Sequence, residues 1–486
     1  MNRKTRIVAT LGPCTSTAEK IGELMDAGMD VARLNFSHGS FEEHALRLVD
    51  IRSEAAKRDR IVAALIDLPG PKVRLAATDS VIDLKRGHRL IVTPSVGDND
   101  VSTLNRLAVD YEHLMDDVRV GDQLSLKDGS IRLTIDEQTE TEFVATILDD
   151  GDIQGRPGIH LPSERFRLAV PTEEDFAFLA QVLPLGVDAI AVSFVRNAAD
   201  VERLRSAMME TLVTLGRAHE ATPPLIIAKI ETRAAIDNLA EVVAAADGVM
   251  VARGDLGTEL PLEDVPHLQK QIIRAAVLAG KPVITATQML ESMITAPRPT
   301  RAETTDVANA VLDGTDAVML SAETATGDHP IEAVATMARI AKRTEETFPY
   351  DAWSENLRRR VGGPEAIDHT MSAVAWTGAH EAGVTKILCC TRRGNTARFM
   401  ARFRTEIPII AVTVSDAACR QLALTWGIQA IVAPELDDAR DQERLAIDIA
   451  LKAGLIESGE VIAVLSHVTN AHAAGTVGSF SLVRVE

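Results

Sequence analysis

Cysteine is scarce. Only Cys14, Cys389, Cys390 and Cys419 occur in 486 residues, with no C-x-x-C pair. Adjacent cysteines seldom bridge, so a reducing, cytosolic compartment is expected. Positive charge is in deficit, 51 Lys and Arg against 70 Asp and Glu, for a net charge of −19. Such a surface repels phosphate backbones, which argues against nucleic acid as a partner but leaves room for a local basic pocket. No apolar run reaches the ~18 residues of a membrane span. The opening MNRKTRIVATLGP has charge with no long apolar stretch behind it, so no signal peptide is expected. No G-x-G-x-x-G follows a strand and no G-x-x-x-x-G-K-[ST] occurs, against a dinucleotide fold and a P-loop kinase. What is present is apolar matter: 46% of residues, enough for real cores and for two to four domains at roughly 100–200 residues each.

Apolar, β-rich runs recur: TRIVAT (5–10), DVARLNF (30–36), IVAALID (61–67), AIAVSFV (189–195), LIIAKIE (225–231), GVMVARG (248–254), PVITATQ (282–288) and AVMLSAE (317–323). Amphipathic stretches such as DNLAEVVAAA (237–246) and LQKQIIRAAVLAG (268–280) lie between most of them. Strand followed by helix, repeated, predicts parallel pairing through crossover helices. Eight units predict a closed (β/α)₈ TIM barrel, with two open α/β halves as the other arrangement.

The rhythm breaks between Asp67 and Ala189. HRLIVTPS (88–95), QLSLKDGSIRLTID (123–136) and EFVATILD (142–149) fill that gap. Leu124, Leu126, Ile131, Leu133 and Ile135 alternate with polar neighbours, as half-buried strands do, and Asp128-Gly129 signals a hairpin. An all-β lid domain at 71–170 is therefore expected, inserted into a barrel built from 1–70 and 171–345 and seated above its C-terminal mouth. KILCCT (386–391), PIIAVT (408–413), QAIVAP (429–434), EVIAVLS (460–466) and a closing SFSLVRVE (479–486), with helices such as TARFMARFR (396–404), predict a C-terminal α/β domain at 346–486.

Reactive groups of such barrels gather at the C-terminal ends of strands. Here the runs end in Arg33, Asn35 and Ser37; in Asp67; in Ser193 and Arg196; in Lys229 and Glu231; in Arg253, Gly254 and Asp255; in Thr285, Thr287 and Gln288; and in Ser321 and Glu323. Glu231 and Asp255, on separate strands, suit Mg²⁺ with positions left for substrate oxygens. Lys229 and Arg33 supply positive charge for a phosphoryl group in transfer. Lys229 and Glu231 are two apart and share a strand face. Taken singly, each has a plainer reading: a structural Lys229–Glu231 pair, a helix cap at Asp255, barrel filling at Thr287, an interstrand partner at Arg33. So many strands ending this way together favour phosphoryl transfer.

The segments ATLGP (9–13), VARLNFSHG (31–39), IIAKIE (226–231), ARGDLG (252–257), ATQMLESM (286–293) and RPTRAETTDVANAVLDGTDAVMLSAETATGDHP (298–330) resemble those of the pyruvate kinase family. The resemblance spans almost the whole chain. It implies phosphate transfer from phosphoenolpyruvate to ADP, giving pyruvate and ATP, in a homotetramer. It implies Glu231 and Asp255 as magnesium ligands, Lys229 on the phosphoryl group and Arg33 on the substrate phosphate. Ala252, Arg253 and Gly254 would line the carboxylate pocket through their backbones, with Thr287 beside the enolate. Asn35, Ser37 and Asp67 would surround a monovalent cation, and Arg74, with Asn35, would lie near the nucleotide. Three positions depart from the family pattern. Leu68 and Lys72 stand where Thr and Glu are usual; with Lys72 in place of the glutamate, activity without potassium is expected. Pro157 and His160 replace lid Lys and Asn, which leaves Arg156 as the lid's candidate for nucleotide. Arg393 replaces a Ser in the loop Thr391, Arg392, Arg393, Gly394, Asn395, Thr396, where a phosphorylated small-molecule effector is expected. The competing enzyme class is a magnesium-dependent barrel lyase or aldolase working through a pyruvate enolate. It needs neither Lys229 nor a lid.

Overall fold

The computed structural model describes residues 3–97, 99–127, 129–162, 165, 167–217, 222–361, 367–437, 441–469 and 476–486. Three strands come first: β1 (Arg6–Leu11), β2 (Val31–Asn35) and β3 (Ala63–Asp67). Nine follow outside the barrel: β4 (Ala77–Leu84), β5 (Arg89–Pro94), β6 (Val101–Ser102), β7 (Arg106–Val109), β8 (Gln123–Leu126), β9 (Ile131–Gln138), β10 (Phe143–Ile147), β11 (Gly151–Gly155) and β12 (Ile159–His160). The chain then returns as β13 (Ala189–Val192), β14 (Leu225–Ile230), β15 (Gly248–Ala252), β16 (Val283–Ala286) and β17 (Ala317–Leu320).

The first three and last five of these strands close in the order β1-β17-β16-β15-β14-β13-β3-β2, with every neighbour parallel and β1 pairing β2. The closed barrel excludes two open halves. Its strands alternate between two apolar populations. Val8, Val31, Leu65, Ala191, Ile227, Met250 and Met319 fill the interior. Ile7, Leu34, Ile66, Val192, Ile226, Val249 and Val318 face the surrounding helices. Several helices start at capping boxes that satisfy their first N–H groups, at Ser40 with Glu43, Thr172 with Asp175 and Thr300 with Glu303.

The inserted strands form a six-stranded sheet, β12-β8-β9-β10-β5-β7, and a three-stranded one, β11-β4-β6. Leu124, Leu126, Ile131, Leu133 and Ile135 all point into their shared core. β8 and β9 pair antiparallel as expected. Their connection runs over 127–130 with Lys127 and Gly129 at positive φ, so it is longer than a two-residue turn. Asp128 lies outside the described residues.

The remaining strands, β18 (Lys386–Thr391), β19 (Ile409–Thr413), β20 (Ile428–Val432), β21 (Val461–Thr469) and β22 (Thr476–Arg484), make one sheet in the order β20-β19-β18-β21-β22. Only the β21–β22 pair is antiparallel. Ala423 and Leu424, just before β20, join the barrel-interior cluster and stopper the barrel's N-terminal end. Arg420 reaches buried Asp188 at 2.7 Å, and Lys4 sits over the rings of Tyr350 and Trp426. Among the described residues no helix is long and apolar enough to cross a membrane.

Candidate active site

The interior column of each barrel strand changes character on the way up. Val31 is followed two residues on by Arg33, Leu65 by Asp67, Ala191 by Ser193, Ile227 by Lys229, and Val8 by Thr10. Strand periodicity carries all five polar side chains to one C-terminal mouth. Parallel register sets their heights, with Thr10 opposite Arg33 and Asn35 opposite Asp67.

A buried charge network results. Asp67, 1% exposed, accepts from Arg33 Nε at 2.8 Å and lies 3.3 Å from Lys229 Nζ. Burial works against its carboxylate, but Lys229 and Arg33 outweigh that and hold its pKa below the usual range. Arg33 also donates to Thr10 Oγ1 at 2.9 Å. Lys229 Nζ donates to Ser193 Oγ at 2.7 Å, and Ser193 in turn donates to the Leu68 carbonyl at 2.7 Å. Burial alone would push the Lys229 ammonium down; Asp67, Glu231 and Asp255 reverse this and hold it above the usual lysine range.

Glu231 is the strained member. It is 1% exposed, and its Oε1 accepts from the Phe194 N–H at 3.0 Å. Its Oε2 has no hydrogen bond among the described residues, with Lys229 Nζ 3.4 Å away. Burial first, with Asp255 adding its charge, pushes the Glu231 carboxyl up to about 7 even against Lys229. Asp255 sits on the adjacent strand's continuation, in the helix Arg253–Glu259. It is the third helical residue rather than the cap, and its carboxylate has no hydrogen bond or ion pair among the described residues. Two carboxylates from neighbouring strands, one with an orphaned buried oxygen, are a fitting donor set for a hard divalent cation.

Thr287 adopts φ +67°, an unusual conformation for a β-branched residue, followed by Gln288 at +55°. The bend brings Thr287 Oγ1 within 2.8 Å of the Gly254 N–H, which donates to it. That uses a lone pair and leaves the hydroxyl proton available. Arg253 turns its side chain away, to Asp306 at 2.7 Å and to the carbonyls of Ala286 and Thr287, so only its backbone borders the mouth.

Two family descriptions match the chain: pyruvate kinase, barrel domain, over residues 2–334, and pyruvate kinase, alpha/beta domain, over residues 369–485. The chain belongs to the pyruvate kinase family. It is 42% identical to the pyruvate kinase of Geobacillus stearothermophilus, across 100% of this chain and 80% of that protein. Identity to that of Staphylococcus aureus is 39%, over 99% and 80%. The crystal structure of a pyruvate kinase from Cryptosporidium parvum superimposes with a TM-score of 0.91 at 35% identity, covering 100% of this chain and 96% of that one. The chain is a phosphotransferase with pyruvate kinase activity, and the lyase or aldolase alternative is set aside.

Some of the polar strand ends expected at the mouth do other work. Arg196 pairs with Asp200 at 3.2 Å. Thr285 is fully buried against the Thr315 hydroxyl at 3.0 Å. Glu323 accepts from the N–H groups of Ser321 and Leu290 and so braces its own turn. These polar ends of strand runs are structural. Conversely, Thr10 closes the first run without standing out there, and its bond to Arg33 exists only once β1 and β2 are paired.

The chain leaves the barrel for the inserted sheets through Leu68-Pro69-Gly70-Pro71. Gly70 has φ +66°, and a Cβ there would meet Ser193 Cβ at 2.8 Å. Beyond it, Arg74 donates to the Arg156 carbonyl at 3.1 Å, and Arg156 pairs with Asp110 at 2.8 Å. Lys72 is exposed, with Cε 3.6 Å from where a Gly158 Cβ would lie. Asn35 Oδ1 accepts from the Ser37 N–H at 3.2 Å. The loop 391–396 lies apart, between β18 and the helix Asn395–Ala401. There Thr391 Oγ1 accepts from the Gly394 N–H at 3.0 Å, and Arg392, Arg393 and Asn395 are exposed, while Thr396 is buried.

Proposed function

We propose that phosphoryl transfer runs on the network Arg33–Asp67–Lys229–Glu231, completed by Asp255 and Thr287. The observation that carries this is the buried Glu231 Oε2 without a hydrogen bond, beside a lysine and facing a second carboxylate. Glu231 and Asp255 would hold Mg²⁺, which when bound supplies charge to polarise phosphoryl oxygens. Lys229, held by Asp67 and Ser193, presents its ammonium to the phosphoryl group in flight. Arg33, fixed by Asp67 and Thr10, takes the substrate phosphate. The backbone of Ala252, Arg253 and Gly254 borders the carboxylate end of phosphoenolpyruvate, and the Thr287 hydroxyl passes a proton toward the enolate carbon through water. Arg74 and Arg156, linked to each other at the hinge, approach the ADP phosphates together with Asn35. The direct test is ADP-dependent pyruvate formation from phosphoenolpyruvate in a coupled assay titrated with magnesium. Absence of turnover at saturating magnesium would reject the reading. The domain division that goes with it is barrel 1–70 and 171–345, lid 71–170 and C-terminal domain 346–486.

Potassium is not required on this reading. Asp67 already has two cationic partners, Arg33 and Lys229, so its charge is spent. Lys72 adds positive charge at the hinge where a glutamate would add negative. Initial velocity in tetramethylammonium buffer is expected to stay flat when potassium is added at matched ionic strength. A rise of about ten-fold or more, the factor that 1.4 kcal/mol of binding difference gives, would reject this. Lys72→Glu is expected to lose activity without potassium and to recover part of it with potassium.

The exposed Arg392 and Arg393 beside Thr391 and Thr396 support a phosphorylated small-molecule effector at 391–396, with a sugar monophosphate or nucleoside monophosphate as the first probes. Activation is expected in wild type and not in an Arg392→Ala/Arg393→Ala double variant. Equal activation of both would remove the effector from this loop. The proposal includes a cytosolic location and a homotetramer, the latter tested by light scattering of the purified protein.

A further inference from the structure

The seam between the barrel and the C-terminal domain buries more positive charge than the described residues neutralise. A cavity of about 10 Å³ in it is lined by Lys281, Asp316, Arg398, Arg402 and Arg404, among others. The three arginines are 6%, 3% and 1% exposed. Arg404 reaches Asp316 at 3.1 Å and lies over the Trp426 ring. Arg398 and Arg402 have no carboxylate partner among the described residues. Arg398 Nη1 donates to the Arg393 carbonyl and to Asn395 Oδ1, both at 3.0 Å. Arg402 spends its Nη groups on the Leu278 carbonyl, His369 and Ser372. Among the described residues, Arg398 Nε and Nη2, Arg402 Nε and Arg404 Nε have no acceptor.

The nearby acids are already committed. Asp316 also accepts from the Trp426 and Val283 N–H groups, and Asp247, whose field reaches Arg398, pairs with Arg205 at 3.1 Å. Lys281 Nζ, the fourth cation on the cavity, donates to the carbonyls of Val243, Ala244 and Ala246. Burial lowers Arg398 and Arg402 to about 10, so both remain charged at neutral pH. A buried unpaired charge is among the costliest arrangements in a protein. Water would satisfy the idle N–H groups and leave the charge unbalanced; an anion answers both. The room is close to that of one water molecule, so a monatomic ion is the anion that enters with the least adjustment of the arginine side chains, and a nucleotide is excluded.

We infer that the seam is a binding site for a small monatomic anion, chloride in ordinary solution, held by Arg398, Arg402 and Arg404. The ion clamps the C-terminal domain to the barrel. Through the bonds of Arg398 to Arg393 and Asn395, it also stiffens the loop 391–396.

The test is thermal unfolding of the full chain at fixed ionic strength while gluconate is replaced stepwise by chloride. The midpoint is expected to rise by about 2 °C and saturate. Arg398→Met, at a residue outside the catalytic mouth, is expected to abolish the rise. No rise in wild type, or an equal rise in the variant, overturns the inference. So does stabilisation by inorganic phosphate without any by chloride. A bromide soak of chloride-free wild-type crystals reads the site whether or not the variant folds. An anomalous peak within hydrogen-bond distance of Arg398 Nε is expected, and its absence overturns the inference.

Discussion

Lys229→Met is expected to lower pyruvate kinase turnover by roughly 1,000-fold, within the range that a charge acting on a transferring phosphoryl group supplies. The variant is expected to go on exchanging the methyl protons of added pyruvate with solvent. The split follows from the geometry. Lys229 Nζ lies among Asp67, Glu231 and Ser193, on the phosphoryl side of the mouth. Thr287, which serves the carbon, is held separately by the Gly254 N–H. Methionine keeps much of the lysine's length while removing its charge and its bond to Ser193, and Arg33 remains to pair Asp67. Turnover by coupled assay and exchange by NMR are the two readouts. Near-wild-type turnover, or loss of both activities in a folded variant, would defeat the assigned division of labour.

Glu231→Gln is expected to raise the magnesium concentration for half-maximal activity by at least about ten-fold, and Asp255→Asn likewise. Each removes one anionic oxygen from a hard cation's donor set. The pH dependence separates the two. In the metal-free chain burial holds the Glu231 carboxyl at about 7, so below that it must shed a proton to coordinate. Magnesium affinity of the wild type is expected to weaken as pH falls from about 8 to 6, and Glu231→Gln to flatten that slope. Folding stability responds to pH in the opposite sense. The folded pKa is raised, so protonated Glu231 contributes stability below the ordinary glutamate range, and this is lost as pH rises through about 7. Unchanged magnesium titrations in both variants would dismiss the metal assignment.

Lys229 and Glu231 stood out in the sequence because an apolar run turned polar at fixed spacing, and that rule needs no tertiary knowledge. It also drew in Thr285, Arg196 and Glu323, which end similar runs. Thr285 lies on the buried side against Thr315, Arg196 is claimed by its helix neighbour Asp200, and Glu323 braces a turn. A strand end looks the same in sequence whether its side chain meets substrate or a neighbouring backbone.

By itself, then, the sequence determined the eight-strand rhythm, the interrupting β segment, the family motifs and the polar crown of the barrel. These follow from periodicity and residue type, which act over a few residues. The tertiary structure alone decided which groups are satisfied. Asp67 is balanced by Arg33 and Lys229, Glu231 Oε2 is left without a hydrogen bond, and Arg398 keeps idle N–H groups in a buried seam. Satisfaction depends on partners far apart in the chain, such as Asp67 and Lys229 or Asp316 and Arg404. In a low-dielectric interior that pairing, rather than residue type, sets where charge is costly and where a ligand is wanted.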